Sequence, residues 1–349
     1  MNRYRIALVV AAAIAAAAVV FTVVRQAGPD LLPQGSAASS ALLPEEARAP
    51  APEFRGIDAW VNSPPLSMAG LRGHVVLVDF WTFSCVNCVR TFPHLHALDR
   101  RYHGDGLVIV GIHSPEFDFE KDQANVHAAV SRLGVTWPVA VDSEMTSWNA
   151  WSNSYWPAEY LVDKQGRVAY FHFGEGEYAS TESAVAALLG LGAGPPAESS
   201  APSSDLTPEL YAGSLRGKLA DGEAYGPLGQ SVDYGDRPPP RDHDTIQVTG
   251  RWTDHGQFLE ADGPAHVRLN FRATDVFVVA GSAAGPVTVS VTVDGAGVPA
   301  VMSGPALSGS GFTVARNDLF QLLAREQQGN HVIDLAVPEG FQLFTFTFG

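Results

Sequence analysis

Residues 77–93 read LVDFWTFSCVNCVRTFP and hold both cysteines of the 349-residue chain, Cys85 and Cys88. Val75, Val76, Leu77 and Val78 lead in as a short apolar, mostly β-branched run, the pattern of a strand buried on both faces. After Cys85 the strand pattern stops, and the spacing of Leu95 and Leu98 predicts a helix. The cysteine pair therefore lies where a strand ends and a helix begins. A helix N-terminus offers unpaired N–H groups and the positive end of its dipole. That environment favours a thiolate, the species that attacks disulfides. Cys85, at the exposed start, is read as the nucleophile. Cys88, about one turn on, is read as the thiol that resolves a mixed disulfide, so the two alternate between dithiol and disulfide.

Other uses of the pair fit less well. A structural zinc site takes four ligands, and the chain has no second cysteine pair. His94 and His96 follow, but Pro93 precedes them, and a His-x-His spacing on a helix does not point one way. A c-type haem site needs His directly after the second cysteine, where Val89 stands. No metal or cofactor is expected. An inert structural disulfide is the remaining alternative. Asp79 is a carboxylate on an otherwise apolar strand, which is costly unless paired or used. It is read as a general acid/base for Cys88, its proton affinity raised by desolvation. Trp81 and Phe83 are expected to shield the sulfurs and offer an apolar face to partners, Glu159 to be a surface charge with a second acid near the site as the alternative, and His113, at the end of a strand, to be a hydrogen-bonding loop residue.

The run VDFWTFSCVNC resembles the thioredoxin active-site signature. Asp79 stands where thioredoxins carry a buried acid, and Pro93 where they carry a helix-kinking proline. Trp156, Pro157 and Ala158, just before the apolar run Tyr160, Leu161, Val162, resemble their cis-proline loop. The resemblance implies that Trp81, Trp156 and Pro157 face the substrate. A cis Pro157 would lack a backbone donor near the sulfurs and leave its neighbours free to pair with a substrate strand. Ser84 departs from the usual Trp, and Val86 and Asn87 replace Gly-Pro at positions that tune the potential in that family. WTFSCVNC, GIHSPEF (111–117), YWPAEYLVD (155–163) and FHFGEG (171–176) are more specific. They resemble membrane-linked, TlpA-like thioredoxins, and above all the extracytoplasmic part of DipZ-type cytochrome c biogenesis proteins, across residues 53–349. That likeness implies an extracytoplasmic thiol–disulfide oxidoreductase acting on protein disulfides as a reductant. Electrons would come from a membrane thiol donor. Two other classes stay open: a thiol peroxidase of the same superfamily, and a non-enzymatic envelope binding protein with an idle disulfide.

A chain of this length accommodates two domains with cores of their own. Its formal net charge of −15 argues against nucleic acid as a partner. Two cysteines in one motif make no disulfide framework and leave the compartment open. The N-terminus speaks to it: Arg3 and Arg5 precede residues 6–24, which are apolar apart from Thr22. That run is longer than the core of a cleaved signal and long enough to cross a bilayer. Residues 1–25 are read as an inner-membrane anchor with its arginines in the cytoplasm, the alternative being a cleaved signal and a secreted protein. Residues 26–52, rich in Ala, Pro, Ser and Gly, read as a flexible tether.

Residues 53–191 alternate strand and helix patterns, which predicts an α/β layer fold, thioredoxin-like by the resemblance. Leu107–Val110 continues as a buried strand, Val126, Ala129, Val130 and Leu133 fall on one helix face, and Asp163 to Gly166 read as a hairpin turn. Residues 192–205 form a second Pro/Ser linker. It suggests that the catalytic domain works without residues 206–349. Those residues change to short apolar–polar alternations, such as Val267, Leu269, Phe271 and then Val276, Val278, with turn pairs such as Asp294-Gly295. They predict an all-β sandwich of jelly-roll type. In the resembled proteins this region looks like a carbohydrate-binding module, which makes carbohydrate a possible ligand. Trp252, Phe258, Phe277, Phe312 and Phe320 would be its aromatics, each read first as core. Arg241 to Asp244 reads as a solvated turn rather than a cation site.

Overall fold

The computed structural model describes residues 42–191 and 206–349. The expected membrane anchor at 1–25, most of the expected tether and the linker at 192–205 lie outside the described residues. Among the described residues, no helix is long and apolar enough to cross a membrane.

The first part is built on a six-stranded sheet. Its strands are β1 (Ala59–Val61), β2 (Val75–Trp81), β3 (Leu107–His113), β4 (Val139–Val141), β5 (Ala158–Val162) and β6 (Val168–Phe173), in the spatial order β1-β4-β3-β2-β5-β6. β2 pairs in parallel with β3 and β3 with β4, whereas β5 and β6 run antiparallel to their neighbours. Parallel pairs need crossovers. Helices α1 (Val86–Tyr102) and α2 (Gln123–Arg132) supply them. A short helix α3 (Thr146–Ala150) leads into β5, and α4 (Tyr178–Leu189) closes the part. All seven residues of β2 are buried, as the lead-in run predicts for a central strand covered on both faces. One face carries Leu77, Leu95, Leu98, Leu161 and Val185, and the other Val78, Phe80, Ile112, Trp148 and Tyr160. Gly111 sits beside β2 because a Cβ there would come within 2.8 Å of Trp81 Nε1.

The tether ends earlier than expected. Leu43 N–H donates to Ala169 O, Val168 N–H to Ala49 O and Ala51 N–H to Gly166 O, so residues 43–51 lie along β6 and its hairpin turn. An open strand edge presents unpaired backbone groups, and this segment satisfies them. Pro93 does not break α1, which runs on to Tyr102.

In the second part, all described strands join one antiparallel sheet of eleven. Two are long, Ala265–Ser282 and Asp318–Val337, and pair with each other along most of their length. The two alternating runs read from sequence at 267–271 and 276–278 belong to one strand. A register shift between Ala273 and Asp275 flips the buried set from odd to even positions, the behaviour of a bulge. Leu269, Phe271, Val278, Leu335 and Phe346 form the core. Trp252 and Phe312 are buried in or against it, Phe320 is half-buried, and Phe258 packs toward the first part. The large exposed aromatics of the described residues, Tyr155, Phe171 and Phe173, all lie in the first part.

Candidate active site

Cys85 is the N-cap of α1, with extended backbone (φ −79°, ψ 109°), and its Sγ accepts the N–H of Cys88 at 3.3 Å. Cys85 O accepts from Val89 N–H at 3.1 Å, the first turn of the helix. Both thiols are free, Cys85 half-buried and Cys88 fully buried. Only Cys85 can meet a partner. Burial pushes the Cys88 thiol well above its ordinary range, the neighbouring Cys85 and Asp79 push the same way, and the backbone of Thr82 opposes them.

Asp79 lies on β2 on the same sheet face as Leu77 and Trp81 and is 0% exposed, and neither of its carboxyl oxygens has a hydrogen-bond partner. Burial holds its carboxyl well above the usual range, and Glu159 adds to this. Glu159 is not the surface charge the sequence suggested. It stands opposite Asp79 on β5, is buried, accepts from Thr181 Oγ1 at 2.9 Å, and is pushed by burial up to about 7. Every residue of β5 is buried, so the strand has no solvent face on which a charge could sit. Trp81 also departs from expectation. At 0% exposure it offers no face to a partner; it packs edge-on against Phe92 and His113. His113 stands at the strand end and hydrogen-bonds, as expected, its Nε2 lying 3.3 Å from Thr82 Oγ1, but it belongs to the strand rather than to a loop. It ends β3 fully buried, stacks on Phe83, and is driven down to about 3 by desolvation. The Trp156–Pro157 bond is cis. Trp156 is half-buried, joins Cys85 against the same apolar cluster and donates Nε1–H to Ser114 O at 3.0 Å. His94 and His96 diverge, one ring against Tyr178 and the other against Trp137. Among the described residues no group of His, Cys, Asp and Glu is placed to hold a metal.

Comparison with known proteins agrees with this geometry. Residues 46–189 match the Redoxin family, and residues 207–349 match a family described as a thioredoxin-like C-terminal domain. Over 315 residues the chain is 36% identical to Protein DipZ of Mycobacterium tuberculosis, covering 86% of this chain and 43% of that protein. The chain thus spans less than half the length of that relative. It is 29% identical over 142 residues to the thiol-disulfide oxidoreductase YkuV of Bacillus subtilis, covering 41% of this chain and 95% of that protein. Residues 46–189 are thus thioredoxin-like.

Within this thioredoxin-like site, the loop before the nucleophile has an anchor that sequence reasoning missed. Glu120 is 0% exposed. Its Oε1 accepts from Thr82 Oγ1, from Ser84 Oγ at 2.6 Å and from Ser84 N–H at 3.3 Å. Its Oε2 accepts the N–H groups of Glu116 at 2.6 Å and Phe117 at 3.0 Å. Burial raises this carboxyl, and the hydroxyls of Ser84 and Thr82 oppose the rise. The available signal was a Glu three residues after the start of a helical turn, reaching back to the N-cap N–H.

The same segment meets the all-β part. Glu116 accepts from Tyr211 OH at 2.7 Å and pairs with Arg216 at 2.8 Å. Phe117 and Phe119 both meet the Phe344 ring edge-on, at 5.2 and 4.8 Å between centroids, and Phe119 also packs on Phe83. Arg132 pairs with Asp318. The described residues accordingly form one compact unit. The two parts therefore share a seam despite the linker between them, with Phe117 and Phe344 buried against each other in it.

Proposed function

We infer that this chain is a thiol–disulfide oxidoreductase that reduces protein disulfides outside the cytoplasm. The observation that carries this reading is the pairing of a half-exposed thiol at a helix N-cap with a buried thiol one turn behind it. A buried, unpartnered carboxyl on the neighbouring strand adds the acid–base group. Cys85 as thiolate attacks one sulfur of the partner disulfide; a mixed disulfide forms and the partner's other sulfur leaves as a thiolate. Asp79 takes the proton of Cys88, whose sulfur then attacks Cys85 Sγ. The Cys85–Cys88 disulfide forms and the second partner sulfur departs. The partner gains two electrons and the dithiol loses them. Trp156 and Pro157 are assigned to the face that receives the partner chain.

The surroundings support the reducing direction. A strongly oxidising pair is one whose reduced form is stabilised. Here burial holds Cys88 as a thiol and Asp79 adds to this, and no cation is contributed by Val86 or Asn87. Both cysteines of the chain belong to the one site, so a thiol on another protein must recharge it. We assign that role to a membrane thiol carrier, with residues 6–24 as the anchor that holds residues 53–191 near it on the extracytoplasmic side. Residues 206–349 are taken as a jelly-roll-like sandwich, a reading supported by long strands that enclose a single core. Insulin reduction by dithiothreitol tests the activity: the wild type is expected to accelerate it and Cys85→Ser to abolish the acceleration. Equilibration with glutathione tests direction. A potential near −270 mV, as in thioredoxin, supports a reductant, and one near −120 mV marks an oxidant and overturns that part.

A further inference from the structure

The reading above leaves the proton of Cys88 on Asp79, which has no contact with solvent. The sheet register supplies a way out. Asp79 on β2 pairs directly with Glu159 on β5, and Glu159 pairs directly with His172 on β6. Directly opposed residues on adjacent antiparallel strands project side chains to one face, about 4.5–5.5 Å apart at Cβ. The three therefore form a row across the sheet on the face that carries Cys88. Exposure rises along it: Asp79 is fully buried, Glu159 nearly so, and His172 half-buried on the outermost strand. The row ends at the rim of the domain.

We propose that Asp79, Glu159 and His172 form a proton path between Cys88 and solvent, with Glu159 and His172 as positioning residues that act through Asp79. The proposal rests on the oxidoreductase reading and deepens it. In the resolving step the Cys88 S–H bond breaks as the Cys88–Cys85 bond forms. The proton passes to Asp79, then to Glu159, then to His172 and out. The departing partner thiolate is protonated from bulk water, so no further reactant is needed. When a donor reduces the Cys85–Cys88 disulfide, the row carries a proton inward to Cys88.

Three observations besides the register support this path. Both Asp79 oxygens and His172 Nε2 are buried without hydrogen-bond partners, so these atoms are free to pass a proton, while the His172 ring is held by the backbone at Gly174 and Glu175. Glu159 keeps one partner, Thr181 Oγ1, itself beside the Tyr170 hydroxyl. Two carboxyls facing each other in an apolar interior do not both ionise readily, so the pair holds a proton that either can pass on. The other titratable groups around the row are few. Cys88 faces Asp79 from α1; Tyr170 on β6 and Tyr178 on α4 lie within the reach of Glu159; Glu177 lies by His172. His94, on α1, stacks on Tyr178 and stands off the row.

The test is single-turnover resolution of a preformed mixed disulfide on the full chain, followed by acid quench and alkylation across pH. His172→Ala is expected to slow resolution at least about tenfold, within the range of general acid–base effects, and added imidazole to restore part of the rate. Glu159→Gln removes the charge opposite Asp79, so Asp79 ionises at lower pH and the rising limb of the profile moves to lower pH. Unchanged profiles in both variants, or no recovery with imidazole, would overturn the path. Should either variant fail to fold, carboxyl-carbon NMR of the wild type decides instead. Asp79 and Glu159 are expected to titrate together in two shared steps, and two independent single-step curves would sink the proposal. Insulin reduction that persists in Cys85→Ser would instead sink the oxidoreductase reading itself.

Discussion

At the residue scale the site divides labour by burial. Cys85 is reachable and Cys88 is not, so only the first can be caught by a partner and only the second can release it. Cys88→Ser is expected to accumulate mixed disulfides on Cys85 in cells, visible as thiol-sensitive bands on non-reducing gels, whereas Cys85→Ser accumulates none. Equal trapping by both would reverse the assignment. Asp79→Asn is expected to keep the fold and to lose about 100- to 10,000-fold in the resolving step. It has a second signature in stability. The folded state holds the Asp79 proton more tightly than the unfolded chain, so the wild type loses stability as pH rises from the ordinary carboxylate range through the raised folded value. Asp79→Asn should show a shallower decline over that window, measured by urea unfolding at several pH values, with the Glu159 contribution remaining. The two cysteines and Asp79 were legible from the chain because their meaning is local: two sulfurs at a strand–helix junction and a carboxyl in an apolar run. Glu159 was legible only as the alternative of a second nearby acid, since its burial follows from the strands on either side of β5 and from α4, none of which its own neighbours announce.

At the element scale, the loop between β2 and α1 is held by a side chain from a distant segment. Glu120 gathers five donors, two of them hydroxyls at 82 and 84, directly before Cys85. Deleting it leaves those donors unpaired in the interior, each worth about 1–3 kcal/mol. Glu120→Ala should therefore lower the melting temperature and loosen the loop over Cys88. Alkylation of Cys88, slow in the native dithiol, should approach the rate at Cys85, read by mass spectrometry of each labelled peptide. If Cys88 stays protected, the loop is held by its backbone alone. Strands, helices and the 163–166 turn were readable from periodicity and turn residues. The long strand at 265–282 was not, because its bulge breaks the alternation and makes one element look like two.

At the scale of the whole molecule, the all-β part reaches the redox loop by contact rather than by proximity in sequence. Phe344 packs on Phe117 and Phe119, and Phe119 packs on Phe83, two residues before Cys85. Arg216 and Tyr211 hold Glu116, whose N–H donates to Glu120. Nothing local marks these partners. Each is an aromatic or a charge that would look at home on any surface, and the Pro/Ser linker between the parts suggests independence. The contacts give the opposite expectation. Phe344→Ala removes a buried aromatic and should cost about 3–5 kcal/mol, with Phe117 and Phe119 left facing a cavity. A protein ending at Leu191 exposes those rings together with unpaired Glu116 and Arg132. It should either aggregate or, where it stays soluble, reduce insulin well below the rate of the full chain. Adding back residues 206–349 as a separate polypeptide should recover activity in proportion to complex formed, followed by size exclusion and turnover in the same samples. Full activity from the shorter protein alone would show that the seam stabilises the chain without shaping the redox loop.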